Sequence, residues 1–151
     1  MYYDEIINLT YEQITNLSDF VNTLKHLQKS IIKNDINEIE IAIEQEEKVL
    51  HRLKHCEDKR AEAVKAALHH YKIEVDASTA LDDLADVLLA IDPEGCDEFN
   101  QTRIILLEKV KEVLLLNTQN EIIINNSRNF IRDLIKNVLG SKKDNFFDRK
   151  V

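Results

Sequence analysis

The side chains best equipped for chemistry sit close together near the middle of the chain. His51 and His55 are four residues apart, Glu47 lies one turn earlier, and Cys56 is adjacent. On a helix, four-residue spacing brings two imidazoles onto one face, an arrangement that metal ions use. The apolar positions Leu50 and Leu53 place these histidines on the outward face, and no second ligand pair is positioned to close a site. A solvated helix surface is expected there, and no metal. A di-iron bundle needs Glu-x-x-His on two helices, yet none of the five histidines has Glu three residues before it. The carboxylates Asp82, Asp83 and Asp86 would suit acid–base work, but they alternate with Leu81, Leu84 and Leu88 as the wet face of a short amphipathic helix does. The loop spacing of a calcium-binding EF-hand is absent. With 2 Gly in the chain, neither a Gly-x-Ser-x-Gly elbow nor a phosphate-cradling loop can be built. A non-enzymatic protein without a cofactor is expected.

His51-Arg52-Leu53-Lys54 resembles the His-x-Leu-Lys opening of histidine phosphotransfer domains, which are also helical bundles. In that family a Gly follows, giving a response regulator access to the imidazole. Here His55 fills that place, so phosphotransfer is the weakest of three functional readings.

Composition bounds the elements that must carry these residues. At 151 residues, the chain amounts to about one domain; with only 2 Gly and 1 Pro it lacks turn material for a sandwich or barrel. Apolar residues at 44% exceed what a disordered chain carries. The longest apolar runs, such as Ile104 to Leu107, fall far short of the ~18 residues that suggest a bilayer span. The opening Met1-Tyr2-Tyr3-Asp4-Glu5 has no basic region or apolar core, so no secretion signal is expected. Cys56 and Cys96 form no metal or redox spacing, and reduced thiols in the cytoplasm are expected. Net charge −8 argues against nucleic acid as a partner. Charge is uneven: Glu74 to Glu98 holds nine carboxylates and no Lys or Arg, whereas Arg128 to Val151 carries seven basic and three acidic residues.

Periodicity predicts four helices. The first spans about Asp4 to Ile32, with Ile7, Ile14, Val21 and Leu17, Leu24, Ile31 as its seam and Phe20 and Leu27 widening it. Asn34 or Asp35 is suited to cap the second, Ile36 to His70. That helix's seam reads Ile36, Ile39, Ile43, Leu50, Leu53, Val64 and Ala67, with Glu46, Glu57 and Arg60 as polar members. Glu57 and Arg60, three apart, are placed to pair. A short third helix starts at Ser78 or Thr79, where Thr79 and Asp82 have capping-box-like spacing. Asp92-Pro93-Glu94-Gly95 reads as a turn. The fourth helix runs from about Asp97 to Leu139, with Gly140 as its stop. Its seam is Leu106, Val110, Val113, Asn117, Asn120, Ile124, Ser127, Ile131, Leu134 and Val138, flanked by Leu116, Ile123 and Phe130. The expected fold is all-α: an elongated antiparallel bundle of three long helices and one short one over residues 1–140, with a mobile basic tail over 141–151 carrying Phe146 and Phe147.

A fourth helix of that length cannot bury itself wholly within its own chain. It must project, self-associate or cover another chain. Asn117 and Asn120 interrupt its seam; Asn in such a place fixes register and partner number at some cost in stability. They either sit satisfied in the bundle or mark where the seam meets a partner helix.

Gln45-Glu46-Glu47-Lys48-Val49-Leu50, with Leu53 and Arg60 beyond, resembles the Glu-Lys-x-Leu-Leu…Leu…Arg signature of the FlgN family. Asn117-Thr118-Gln119-Asn120 followed by Glu121-Ile122-Ile123-Ile124 resembles that family's Asn-x-x-Asn and apolar run, and the order of helices agrees from about Leu17 to Leu139. One departure is Tyr71-Lys72-Ile73, where the family tends to have a Gly. The resemblance implies a cytoplasmic chaperone of the bacterial flagellum that binds hook-associated proteins 1 and 3, the hook–filament junction proteins, and delivers them to the type III export gate. It implies a partner region in the C-terminal helical part, here Asn117 to Leu139 and the tail. The polar seam residues and apolar surface there make Leu116, Asn117, Asn120, Ile123, Phe130, Ile131, Leu134 and Val138 the expected contacts, with Phe146 and Phe147 as further candidates. The alternative class is a coiled-coil scaffold dimerising through the fourth helix, so a monomer or weak dimer is expected.

Overall fold

Two residues separate the first pair of helices, and each has one task. Asn34 takes the left-handed conformation at φ 53°, which Asn tolerates better than most residues. Asp35 then accepts a hydrogen bond from the Glu38 backbone N–H at 3.2 Å, capping the helix that follows. The computed structural model describes residues 2–74 and 78–139, and nearly all of them are helical. The helices are α1 (Tyr2–Lys33), α2 (Ile36–His70), α3 (Ala80–Ile91) and α4 (Pro93–Leu139). Among the described residues there is no strand.

The other helix ends follow the same local chemistry, with two departures from expectation. At the end of α2, Lys72 sits at φ 57° while the Ile73 N–H donates to the Leu68 carbonyl at 2.8 Å. This six-to-one closure normally uses glycine, so Lys72 occupies a conformation that a glycine would adopt without strain. Thr79 stands at the N-cap of α3, but its hydroxyl donates to Asp83 Oδ2 at 3.2 Å and makes no cap bond, so the Thr79–Asp82 capping box is not formed. The expected turn at Asp92 to Gly95 is instead the first turn of α4. Asp92 Oδ1 accepts from the Gly95 N–H at 3.1 Å, and Pro93 takes the first helical position, where a missing N–H costs nothing.

Side-chain contacts give the directions. Gln13 reaches the Leu53 carbonyl, and His26 reaches Glu38, so α1 and α2 are antiparallel. Arg103 pairs with Asp82, and Cys96 Sγ lies 3.2 Å from the Ala85 carbonyl, so α3 and α4 are also antiparallel. By contrast Tyr3 meets Asp92, Tyr11 meets Glu98 and Asn120 meets Leu24, so α4 runs parallel to α1. The short α3 makes this possible by returning the chain to the base of α1. The long α1 is central, packing on α2 at one side and α4 at the other.

Two cores result. At the base, Tyr3, Ile6 and Ile7 pack with Ala67 and Leu68 of α2, Leu84 and Leu88 of α3, and Phe99 of α4. Above it, Leu17, Phe20, Val21 and Leu24 pack with Val49 and Leu53 of α2 and Leu116 of α4. Leu24 is completely buried. Because α1 is covered on two sides, its buried surface includes Thr10, Gln13, Asn16, Thr23 and Ser30, which apolar periodicity does not reveal. Three of these hydroxyls donate back to carbonyls one turn earlier: Thr10 to Ile6, Thr23 to Asp19 and Ser30 to His26. This satisfies them without a partner helix.

The seams of α2 and α4 differ from expectation in the same way. In α2 the buried line is Ala42, Val49, Cys56 and Ala63, one residue before the expected Ile43, Leu50 and Val64, while Leu53 and Ala67 serve both. In α4 it is Leu116, not Asn117, that turns inward beside Asn120, with Ile123 half-buried on the same line. Small residues at Ala42, Ala63 and Ala67 let α2 lie close to α1, and the larger apolar side chains are left on the flank. Glu57 and Arg60 do pair, with N–O distances of 3.0 and 2.8 Å, and Gln13 Nε2 joins them at 3.2 Å.

Candidate partner-binding surface

At 1.5 Å per residue α4 extends roughly 70 Å, against roughly 48 Å for α1. The two start level, at Tyr3 and Asp92, and still meet at the top of α1. There Gln28 donates to Gln119 at 3.2 Å, and Gln28, Ile32, Gln119, Ile122 and Ile123 line a groove of about 390 Å³. Beyond this level α1 has ended at Lys33 and α2 has begun at Ile36, while α4 continues to Leu139.

The proposed contact residues separate along this rod. Leu116 is 8% exposed, inside the upper core. Asn120, 3% exposed, donates from Nδ2 to the Leu24 carbonyl at 3.1 Å, and its Oδ1 has no partner. Both therefore lie in the chain's own α1–α4 seam instead of on a free face. Asn117 is exposed and Ile123 is half-buried at the groove. The side chains of Phe130, Ile131, Leu134 and Val138 lie outside the described residues, as do Phe146, Phe147 and the tail.

Apolar surface is left over along α4 well before its end. Ile104, Leu107, Leu114 and Leu115 are all exposed, Leu114 by 60%, and at 100° per residue they lie away from the Leu116–Asn120 line that meets α1, while Ile122 is exposed at the groove. A second patch was not anticipated. Ile36, Ile43 and Leu50, which periodicity assigns to the buried seam of α2, are exposed, Ile36 by 67%. Its sequence signal is an apolar stripe wider than one neighbouring helix can cover.

The histidine cluster is not brought together. His51 and His55 are exposed and line an open groove of about 730 Å³ with Asp19, Lys48 and Arg52, whereas Cys56 points inward to the Leu9 carbonyl at 3.5 Å. Burial, Glu12 and Glu57 push the Cys56 thiol above its ordinary range, so it is a poor nucleophile. No group of three His, Cys, Asp or Glu side chains among the described residues is arranged to hold a metal. No helix among the described residues is long and apolar enough to cross a membrane.

Compared with known protein families, the chain matches the model described as FlgN protein over residues 1–150. The chain belongs to the FlgN family. That family consists of flagellar export chaperones and is not an enzyme family. The FlgN assignment agrees with a helical bundle that presents unpaired apolar helix surface among its described residues. Neither the curated proteins nor the solved structures contain a match to this FlgN-family chain.

Proposed function

We propose that this chain is a cytoplasmic chaperone that captures the terminal helical segments of hook-associated proteins 1 and 3 and delivers them to the type III export gate. One observation carries the reading: α4 continues past the end of both helices that could cover it. Junction-protein termini that become helical only on assembly present apolar faces beforehand. A complementary helix that covers one such face blocks premature association, and the ordering cost keeps affinity moderate enough for release. The proposed contacts are Asn117, Ile123, Phe130, Ile131, Leu134 and Val138, continued by Phe146 and Phe147.

Removing residues 125–151 tests this while keeping both cores and the Gln28–Gln119 and Asn120–Leu24 hydrogen bonds between α1 and α4. Titration calorimetry with each purified junction protein is expected to show at least tenfold weaker binding by the truncated chain. Undiminished binding to both would overturn the site assignment. The exposed face of Ile104, Leu107, Leu114 and Leu115 favours a second reading, a scaffold that dimerises through α4.

A further inference from the structure

The two unexpected apolar flanks face the same place. On α1, the polar pairs with both neighbours border its exposed side: Asp19–Arg52 and His26–Glu38 toward α2, Lys25–Glu112 and Tyr11–Glu98 toward α4. At 100° per residue, the opposite flank of α2 carries Ile36, Ile43 and Leu50. The opposite flank of α4 carries Val110, Asn117 and, nearest its seam, Ile124. Both flanks therefore border one cleft between α2 and α4, floored by α1, and these six side chains are exposed.

At the base that cleft is already filled. The occupant is α3, whose Ala85 and Asp82 meet Cys96 and Arg103 of α4 and whose leucines share a core with Leu68 of α2. Cys96, Arg103, Val110, Asn117 and Ile124 are spaced seven apart on α4, as are Val64, Glu57, Leu50, Ile43 and Ile36 on α2. Each line begins beside α3 and continues past its first residue, Ala80. The surface that seats α3 thus extends upward with nothing described upon it. On the α2 wall, Glu46 is half-buried with no hydrogen bond or ion pair, and burial together with Glu47 pushes its carboxyl up.

We infer that the upper cleft seats one amphipathic helix of the exported partner, lying end to end with α3 and completing a four-helix cross-section. From Arg103 to Ile124 the open length is roughly 30 Å, which accommodates about 20 residues, or three heptads. The partner's buried stripe carries branched apolar residues at heptad spacing and one Lys or Arg that meets Glu46. The inference rests on the chaperone reading but places the seat on α2 as well as α4, below the level of residue 125.

The test measures affinity for the purified junction proteins in the full-length chain, with circular dichroism confirming unchanged helix content. Ile43→Glu and Leu50→Glu alter exposed side chains, and each is expected to weaken binding at least tenfold. Leu115→Glu, on the far face of α4, is expected to stay within twofold of the native chain. Native-like binding by both cleft variants, alongside loss on removing 125–151, overturns this seat and leaves the chaperone reading standing. Failure of the native chain to bind either junction protein overturns both. A concentration-dependent dimer that Leu50→Glu dissociates would make the occupant a second copy and overturn the partner-helix assignment.

Discussion

Tyr3 and Asp92 tie the first turn of α1 to the first turn of α4. The phenol donates to Asp92 Oδ2 at 2.9 Å while Asp92 Oδ1 caps α4, so one carboxylate holds two helix starts together. That hydrogen bond, burial and the Asp92 charge push the Tyr3 phenol up to about 12 from 10.0. The folded protein thus holds this proton more tightly than the unfolded chain does. The resulting stabilisation is complete below about pH 10 and is lost as pH rises from there through about 12. Tyrosinate absorbance should show Tyr3 ionising near pH 12, and Asp92→Asn should move that step back toward 10; four tyrosines titrating together near 10 would contradict it. The two seam asparagines, alike in sequence, separate at this scale as well. Asn120 bonds within the chain, and Asn117 is exposed.

At the scale of elements, helix existence follows from patterns that act over a few residues. The bounds expected for α2 are those found, because Asp35 caps locally and Lys72 ends the helix locally. Lys72 carries a Cβ where the left-handed conformation disfavours one, at a cost of roughly 1 kcal/mol. Lys72→Gly is accordingly expected to stabilise the chain by about 1 kcal/mol, less what glycine gains in the unfolded state. A higher urea midpoint checks this, and a lower one would show that the Lys72 stem makes a compensating contact. In sequence Pro93 and Gly95 read as a turn, whereas in the structure Asp92 and Pro93 together open α4. Apolar periodicity favours the largest side chains and so points one residue past the buried line of α2. Close packing instead favoured Ala42, Ala63 and Ala67, with Ile43 and Leu50 displaced outward.

For the molecule as a whole, the lengths of the helices matter more than their sequences. A 12-residue α3 beside helices of 32, 35 and 47 residues fills the fourth position of the bundle only at its base. The apolar surface left exposed among the described residues is what the proposed partner helix would cover. Light scattering at micromolar concentration is expected to give the mass of one chain alone and of a defined complex after a junction protein is added. A stable dimer unaffected by the junction protein would favour the scaffold instead. Composition, periodicity and capping residues were enough to determine an all-α chain with four helices and an overlong last one, since these depend on neighbours within a turn or two. Which flank of each helix is buried, and that α4 runs beside α1 in the same direction, depended on how several helices share one core. So did the meeting of the α2 and α4 flanks across a cleft with nothing described upon it. Packing among segments distant in sequence decides such questions, and no local pattern encodes it.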